Sequence, residues 1–197
     1  MTKTRLEAFS DGVLAIVITI MVLELKEPGG AELKDLSHSL PTLFSYLLGF
    51  IYVGIYWNNH HHLMQAVKSV NGRVLWANMH LLFWLSLFPF MTAWVNAEGL
   101  NHRGPVIAYG MVLLMAGVAY WILTHALICH HGRGSVLHEA IGDDVKGRVS
   151  LLIYAVGIGA SVWQPIVGIA LYIGVALMWL VPDRRLERAL HDATGKD

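Results

Sequence analysis

Apolar residues run through this chain in long blocks, and the charges collect in the gaps between them. Six blocks stand out: about 6–25, 43–64, 75–95, 105–129, 149–163 and 165–181. The first four are long enough for helices that cross a hydrocarbon layer, which takes about 20 residues. The last two lie near the lower limit of about 17 residues, and as a single rod they would be far too long. Gln164-Pro165 divides them, which predicts two short helices joined by a tight turn. Pro41 and Gly104-Pro105 mark the starts of the second and fourth helices. The pattern predicts an all-α integral membrane protein with six transmembrane helices in one domain over residues 1–197.

Composition agrees with that reading. Of 197 residues, 55% are hydrophobic and only 14% charged, against roughly 25% charged in soluble domains. A formal net charge of zero argues against a nucleic-acid partner. The one cysteine, Cys129, excludes an internal disulfide. Glu7 and Asp11 interrupt the first block where the core of a cleavable leader would begin, so that block is expected to be retained as a helix.

Charge placement predicts the topology. With the N-terminus inside, the inner face holds Lys3, Arg5, Lys68, Arg73, Arg133, Lys146, Arg148, Arg184, Arg185, Arg188 and Lys196. The outer face holds only Lys26, Lys34 and Arg103. Cytoplasmic loops carry the excess of Lys and Arg, so six crossings with both termini cytoplasmic are expected. The segment from Asp183 to His191 is expected to extend the last helix as a short amphipathic tail.

The first block carries the densest chemistry. Arg5, Glu7, Ser10 and Asp11 lie in the first turns of a helix that has no further charge until Glu24. Ionisable groups in a membrane helix face protein or water and mark function. At 100° per residue, Ile16, Ile20 and Leu23 share one face with Thr19 at its edge, and Asp11 sits about 140° away from Ile16. The carboxylate therefore reads as part of an anchor to neighbouring helices. The apolar stripe fits ordinary packing, and it also fits a hydrophobic constriction that gates ions by dewetting. Its spacing leaves both open.

One histidine of the run His60–His62 is expected to meet Asp11 or Ser10 near the same end of the bundle, with Asn78 and His80 as further partners for the anchor. The run His60-His61-His62 points in three directions on a helix, and no histidine pair there is spaced four apart, so no metal site is expected. His80 and His125 are a conceivable axial pair for haem, but nothing around them supports it. His130 and His131 read as membrane-edge histidines. No catalytic or nucleotide-binding fingerprint occurs, and the Thr-Val-Gly-Tyr-Gly filter is missing. A non-enzymatic membrane protein without cofactor is expected. A proton-coupled transporter using Asp11 and the helix-end histidines is the alternative to a channel.

The run Arg5-x-x-x-Phe9-Ser10-Asp11-Gly12, the following Ala15-Ile16-x-x-Thr19 and Leu23-Glu24-Leu25, and Trp57-x-x-His60-His61 resemble the transmembrane protein 175 family. That family includes the lysosomal potassium channel of animals and shorter bacterial homologues. The resemblance implies a potassium-permeable cation channel in the cell (inner) membrane, lined by first helices and lacking a carbonyl filter. Animal members carry two six-helix repeats, so a single-repeat chain implies a homotetramer around a central pore. Ile16 then matches the constriction, with Ile20 and Leu23 as further rings and Thr19 as a hydroxyl layer for selectivity. Arg5, Phe9, Ser10, Asp11, Trp57, Asn78 and His60 or His61 match the network that holds the pore helices. The implied partners are other copies of the chain, potassium ions and the lipid bilayer.

Overall fold

The computed structural model describes residues 2–132, 137 and 144–180, and within them the chain is all helix, turn and link. Helix α1 spans Lys3–Leu23 and starts at Thr2, whose hydroxyl accepts the Arg5 N–H at 3.4 Å. A short 3-10 turn, Leu33–Ser39, is closed by a capping box between Glu32 and Asp35. It feeds α2, Leu40–Gln65, with Pro41 in the first turn, where its missing N–H does no harm. Helix α5 spans Arg103–His131 and stops at Gly132, whose φ of 87° suits a residue without Cβ. Helices α6, Val145–Ser161, and α7, Pro165–Leu180, form the expected short hairpin.

The third block is where the structure departs from a single rod over 75–95. It divides into α3, Gly72–Ser86, and α4, Phe88–Glu98, on either side of Leu87. The cause is Pro89, which offers no N–H to the preceding turn and crowds the carbonyl four residues back. The hydrogen bond from Met91 N–H to the Leu87 carbonyl, 3.0 Å, carries the chain across the break. Together α3 and α4 still form one apolar span of 27 residues, Gly72–Glu98. With α1, α2 and α5, this makes four helical stretches among the described residues that are long and apolar enough to cross a membrane; α7 is a shorter apolar helix. At 1.5 Å per residue, α6 and α7 reach only about 25 Å, less than the ~30 Å hydrocarbon core. The expected tail helix near 183–191 lies outside the described residues.

Helix α5 is the central post, packed against α3, α4, α6 and α7, while α1 leans on α2, α3 and α4 at one edge. Helix α7 reaches back to α2, where the buried Tyr52 hydroxyl donates to the Tyr172 carbonyl at 2.6 Å. Close approach within the α6–α7 hairpin depends on Gly168: a Cβ there would lie 2.9 Å from the Gly157 carbonyl oxygen.

At one end of the bundle the link between α2 and α3 is tied to the end of α5. The Lys68 N–H donates to His131 Nε2 at 3.3 Å, and Asn71 Nδ2 donates to His130 Nδ1 at 3.0 Å. The other end of the Asn71 amide caps α3 by accepting the Val74 N–H at 3.0 Å, so the amide orientation is fixed. Both ring nitrogens must therefore accept. His130 Nε2 carries the proton and donates to Ser69 Oγ at 3.1 Å, and His131 Nδ1 donates to the Leu127 carbonyl at 3.0 Å. These two histidines, read from sequence as residues of the membrane edge, hold a loop.

Candidate pore-lining helix and its anchor

Helix α1 presents two faces with opposite characters. Leu6, Ser10, Leu14, Val17 and Met21, spaced by three and four, are buried against the rest of the subunit. On the opposite side Arg5, Phe9, Gly12, Ile16, Thr19 and Leu23 are exposed. Ile16 is 58% and Leu23 81% exposed, with Ile20 at 43%, so the subunit itself covers little of this stripe. Ordinary packing within the chain therefore does not account for it.

The buried face is fixed by a polar chain that runs through three helices. Ser10 Oγ donates to the Leu6 carbonyl at 2.9 Å. Asn78 Nδ2 on α3 donates to Ser10 Oγ at 2.9 Å, and His60 Nε2 on α2 lies 2.8 Å from Asn78 Oδ1. Because the Ser10 proton is used on the carbonyl, Asn78 must present its NH2 to Ser10 and its oxygen to His60. His60 Nε2 is thus the donor. All three side chains are buried, Ser10 and Asn78 completely. The direction of every bond is set, from His60 to Asn78 to Ser10 to the α1 backbone.

A second tie crosses at the rim, where Trp57 Nε1 donates to Asp11 Oδ1 at 3.0 Å. Trp57 stacks on His61 with ring centroids 6.0 Å apart, and His61 Nε2 lies 2.9 Å from Gln65 Nε2. The uncertainty between the two histidines resolves by register. His60 points inward to Asn78, and His61, one residue on, faces out. The structure brings the expected residues together in two groups: Ser10, Asn78 and His60 in one buried chain, with Asn78 standing between Ser10 and the histidine, and Asp11 with Trp57 at the rim.

Arg5 and Phe9 do not join this group. Arg5 is 11 residues before Ile16, just over three full turns, so it lies on the exposed stripe. Within the subunit it faces away from Asp11, and Glu7 pairs instead with Lys3 at 3.9 Å.

Thr19 sits on the exposed stripe with its hydroxyl donating to the Ile16 carbonyl at 2.9 Å. Its proton is thus turned toward the helix, and the oxygen lone pairs face outward. Two further histidines are engaged locally: His80 Nε2 accepts Trp84 Nε1–H at 2.9 Å, and His125 Nδ1 donates to the Trp121 carbonyl at 2.9 Å. No group of three or more His, Cys, Asp or Glu among the described residues is placed to hold a metal ion.

An apolar helical bundle, with one edge helix locked by buried polar bonds and bare on its outer face, defines a multi-pass membrane protein. Comparison with known proteins makes the class specific. A family model described as the endosomal/lysosomal potassium channel TMEM175 matches residues 5–89, a stretch that contains every member of the anchor. A protein of Chryseobacterium sp. (strain P1-3), named as a potassium channel, is 53% identical over 98% of this chain and 100% of its own length. The crystal structure of a lysosomal potassium-selective channel TMEM175 homolog from Chamaesiphon minutus superposes with a TM-score of 0.75. It is 26% identical and covers 92% of this chain and 97% of that one. Human TMEM175, named as an endosomal/lysosomal proton channel, is 36% identical over 81 residues, 35% of this chain but 16% of the human protein. This chain belongs to the TMEM175 family and is a bacterial-type, multi-pass ion channel protein.

Proposed function

We propose that the chain forms a homotetrameric, potassium-permeable cation channel of the cell inner membrane, with both termini cytoplasmic and α1 lining a central pore. The observation that carries this is the bare stripe of α1, whose opposite face is locked by the His60–Asn78–Ser10 chain. Four copies meeting on that stripe would form stacked rings at Ile16, Ile20 and Leu23. At 1.5 Å per residue the stack is about 10 Å long. A ring of isoleucines narrow enough to exclude water blocks ions by dewetting, and small outward displacement of α1 rehydrates it. No carbonyl filter is needed on this mechanism. The Thr19 hydroxyls, with lone pairs outward, replace part of the hydration shell of a passing cation. Potassium, with the weaker hold on its water, gives up that shell at less cost than sodium.

The test is ion flux from proteoliposomes under separate potassium, sodium and proton gradients, the last because animal relatives are named as proton channels. Wild-type protein is expected to pass potassium faster than sodium, without saturation by a co-substrate. Ile16→Asn is expected to raise the leak and lower the discrimination. Unchanged flux in Ile16→Asn would remove Ile16 as the constriction. Saturable, co-substrate-dependent transport would replace the channel by a transporter.

A further inference from the structure

At the end of the bundle away from the anchor, α4 stops at Glu98 and α5 starts at Arg103, and an open groove of about 600 Å³ lies there. That size falls within the roughly 300–1,000 Å³ of ordinary ligand sites. Glu98 and Arg103 are its charged walls, with His102 beside them and Trp94 one turn deeper. Gly99, with a φ of 90°, turns the chain so that the carboxylate and the guanidinium end two different helices. Among the described residues neither charge takes part in an ion pair or a side-chain hydrogen bond, and the Trp94 N–H and the His102 ring have no partner either. All four side chains are exposed. The groove thus offers one negative and one positive group, both open to a ligand.

Position sets the kind of ligand. Both charges stand at the ends of membrane-length apolar spans, Gly72–Glu98 and Arg103–His131, which is the level of lipid headgroups. Tryptophan concentrates at that level because its ring is apolar while its N–H takes a polar partner. From the groove two exposed rows run inward side by side, Trp94 and Phe90 on α4, Gly104 and Met111 on α5. They adjoin because the Trp94 ring lies over the start of α5, 3.7 Å from where a Cβ on Gly104 would be. Phe90 extends that ring, with centroids 6.3 Å apart. At 1.5 Å per residue, Phe90 lies about 6 Å inward of Trp94 and Met111 about 10 Å inward of Gly104. A soluble zwitterion leaves both rows uncovered, whereas an acyl chain covers them.

We infer that this groove holds one zwitterionic phospholipid per chain. The lipid phosphate sits on Arg103, with the His102 ring and the Trp94 N–H as further donors, and the ammonium sits on Glu98. The acyl chain lies along Phe90 and Met111 and gains by leaving them no longer bare. A headgroup without an ammonium is disfavoured, because it leaves Glu98 unpaired beside a second negative charge. None of this rests on how ions pass α1, and the test reads binding rather than flux.

Protein delipidated in a non-ionic detergent is titrated with phosphatidylethanolamine and, separately, with phosphatidylglycerol of the same acyl chains, and bound lipid is counted by native mass spectrometry. One phosphatidylethanolamine per chain is expected to bind about fivefold more tightly than phosphatidylglycerol, the scale of one exposed ion pair. Glu98→Gln should bring the two lipids within about twofold of each other, and Arg103→Gln should weaken both by about fivefold. Both side chains are exposed, so both variants are expected to fold, and a melting midpoint unchanged in the absence of lipid checks this. Free phosphoethanolamine, which lacks the acyl chains, is expected to compete about tenfold more weakly or worse. The inference is overturned by equal binding of the two lipids to wild-type protein, by a preference that survives Glu98→Gln, or by unchanged affinities in Arg103→Gln. It is also overturned if phosphoethanolamine competes as well as the lipid, which assigns the groove to a soluble ligand. Lost assembly of both variants on size exclusion, with no lipid bound to wild type, assigns it instead to a second copy of the chain.

Discussion

Asn78→Ala removes the middle link of the chain that fastens α1 to α2 and α3. Its amide donates to Ser10 and accepts from His60, so two hydrogen bonds go at once. In membrane bundles such bonds average about 0.6 kcal/mol and reach about 1.7. The loss also leaves the His60 N–H, 2% exposed, without an acceptor, and an unsatisfied buried donor costs about 1–3 kcal/mol. The Ser10 hydroxyl keeps its bond to the Leu6 carbonyl, so it adds little to the penalty. Together these give a destabilisation of about 2–4 kcal/mol. At roughly 2–4 °C per kcal/mol for a chain of this size, the melting midpoint should fall by about 4–16 °C. The assay is thermal unfolding of purified protein in detergent, followed by tryptophan fluorescence, with size exclusion to record assembly. Ser10→Ala in the same background supplies a double-mutant cycle, and residues within one hydrogen-bonded chain should couple by about 0.5–1.7 kcal/mol. A melting midpoint within 1–2 °C of wild type, or strictly additive losses, would refute the chain as the anchor of α1.

Three further outcomes follow from particular contacts. Gly168→Val drives a branched side chain against the Gly157 carbonyl, 2.9 Å from the nearest possible Cβ, and should destabilise the α6–α7 hairpin by about 1–3 kcal/mol in the same melting assay. His131→Phe removes the acceptor of the Lys68 N–H, so hydrogen exchange over residues 66–71 should quicken several-fold while flux stays within twofold of wild type. Trp57→Phe deletes the donor to Asp11 but keeps the aromatic body; a loss of about 0.5–1.5 kcal/mol is expected, and a full-strength wild-type melt would show that the exposed Asp11 has no need of it.

How much of this was legible in sequence divides along physical lines. The apolar blocks and the Gln164-Pro165 turn are set by hydropathy and by proline's missing donor, both local properties, and they could be read directly. The break at Leu87 was equally local, since Pro89 is in plain view, yet the hydropathy stays high across it and masked the break. The opposition of Ser10 and Ile16 on α1 follows from 100° per residue alone. What could not be read was order along a chain of polar contacts. Nothing in the spacing says that Asn78 rather than His60 touches Ser10, because that depends on how α2 and α3 cross. The pairing of His130 and His131 with the Ser69–Asn71 link was invisible for the same reason: the partners are about 60 residues apart and joined only by packing.

Arg5 sharpens the reading of α1 most. The family resemblance grouped it with Ser10 and Asp11 in the network that holds the pore helices, although six residues place it poorly for Asp11 within one helix. The helical wheel and the structure put it on the bare stripe, three turns below Ile16 and clear of Asp11. On the proposed tetramer, an arginine there has two environments open to it, the water of the inner mouth or a carboxylate of the next subunit. Asp11, exposed at the rim with Trp57 on one oxygen, is placed to be that carboxylate. The two alternatives differ in what charge removal does. If Arg5 bridges subunits, Arg5→Gln should weaken assembly, and pairing it with Asp11→Asn should add little further loss. If Arg5 lines the mouth, assembly should hold while inward and outward cation currents change unequally, because four positive charges at one end repel cations from that side. The first outcome makes the opening motif a single device in which the buried face of α1 fixes the helix to its own subunit and its charged foot fixes it to the next.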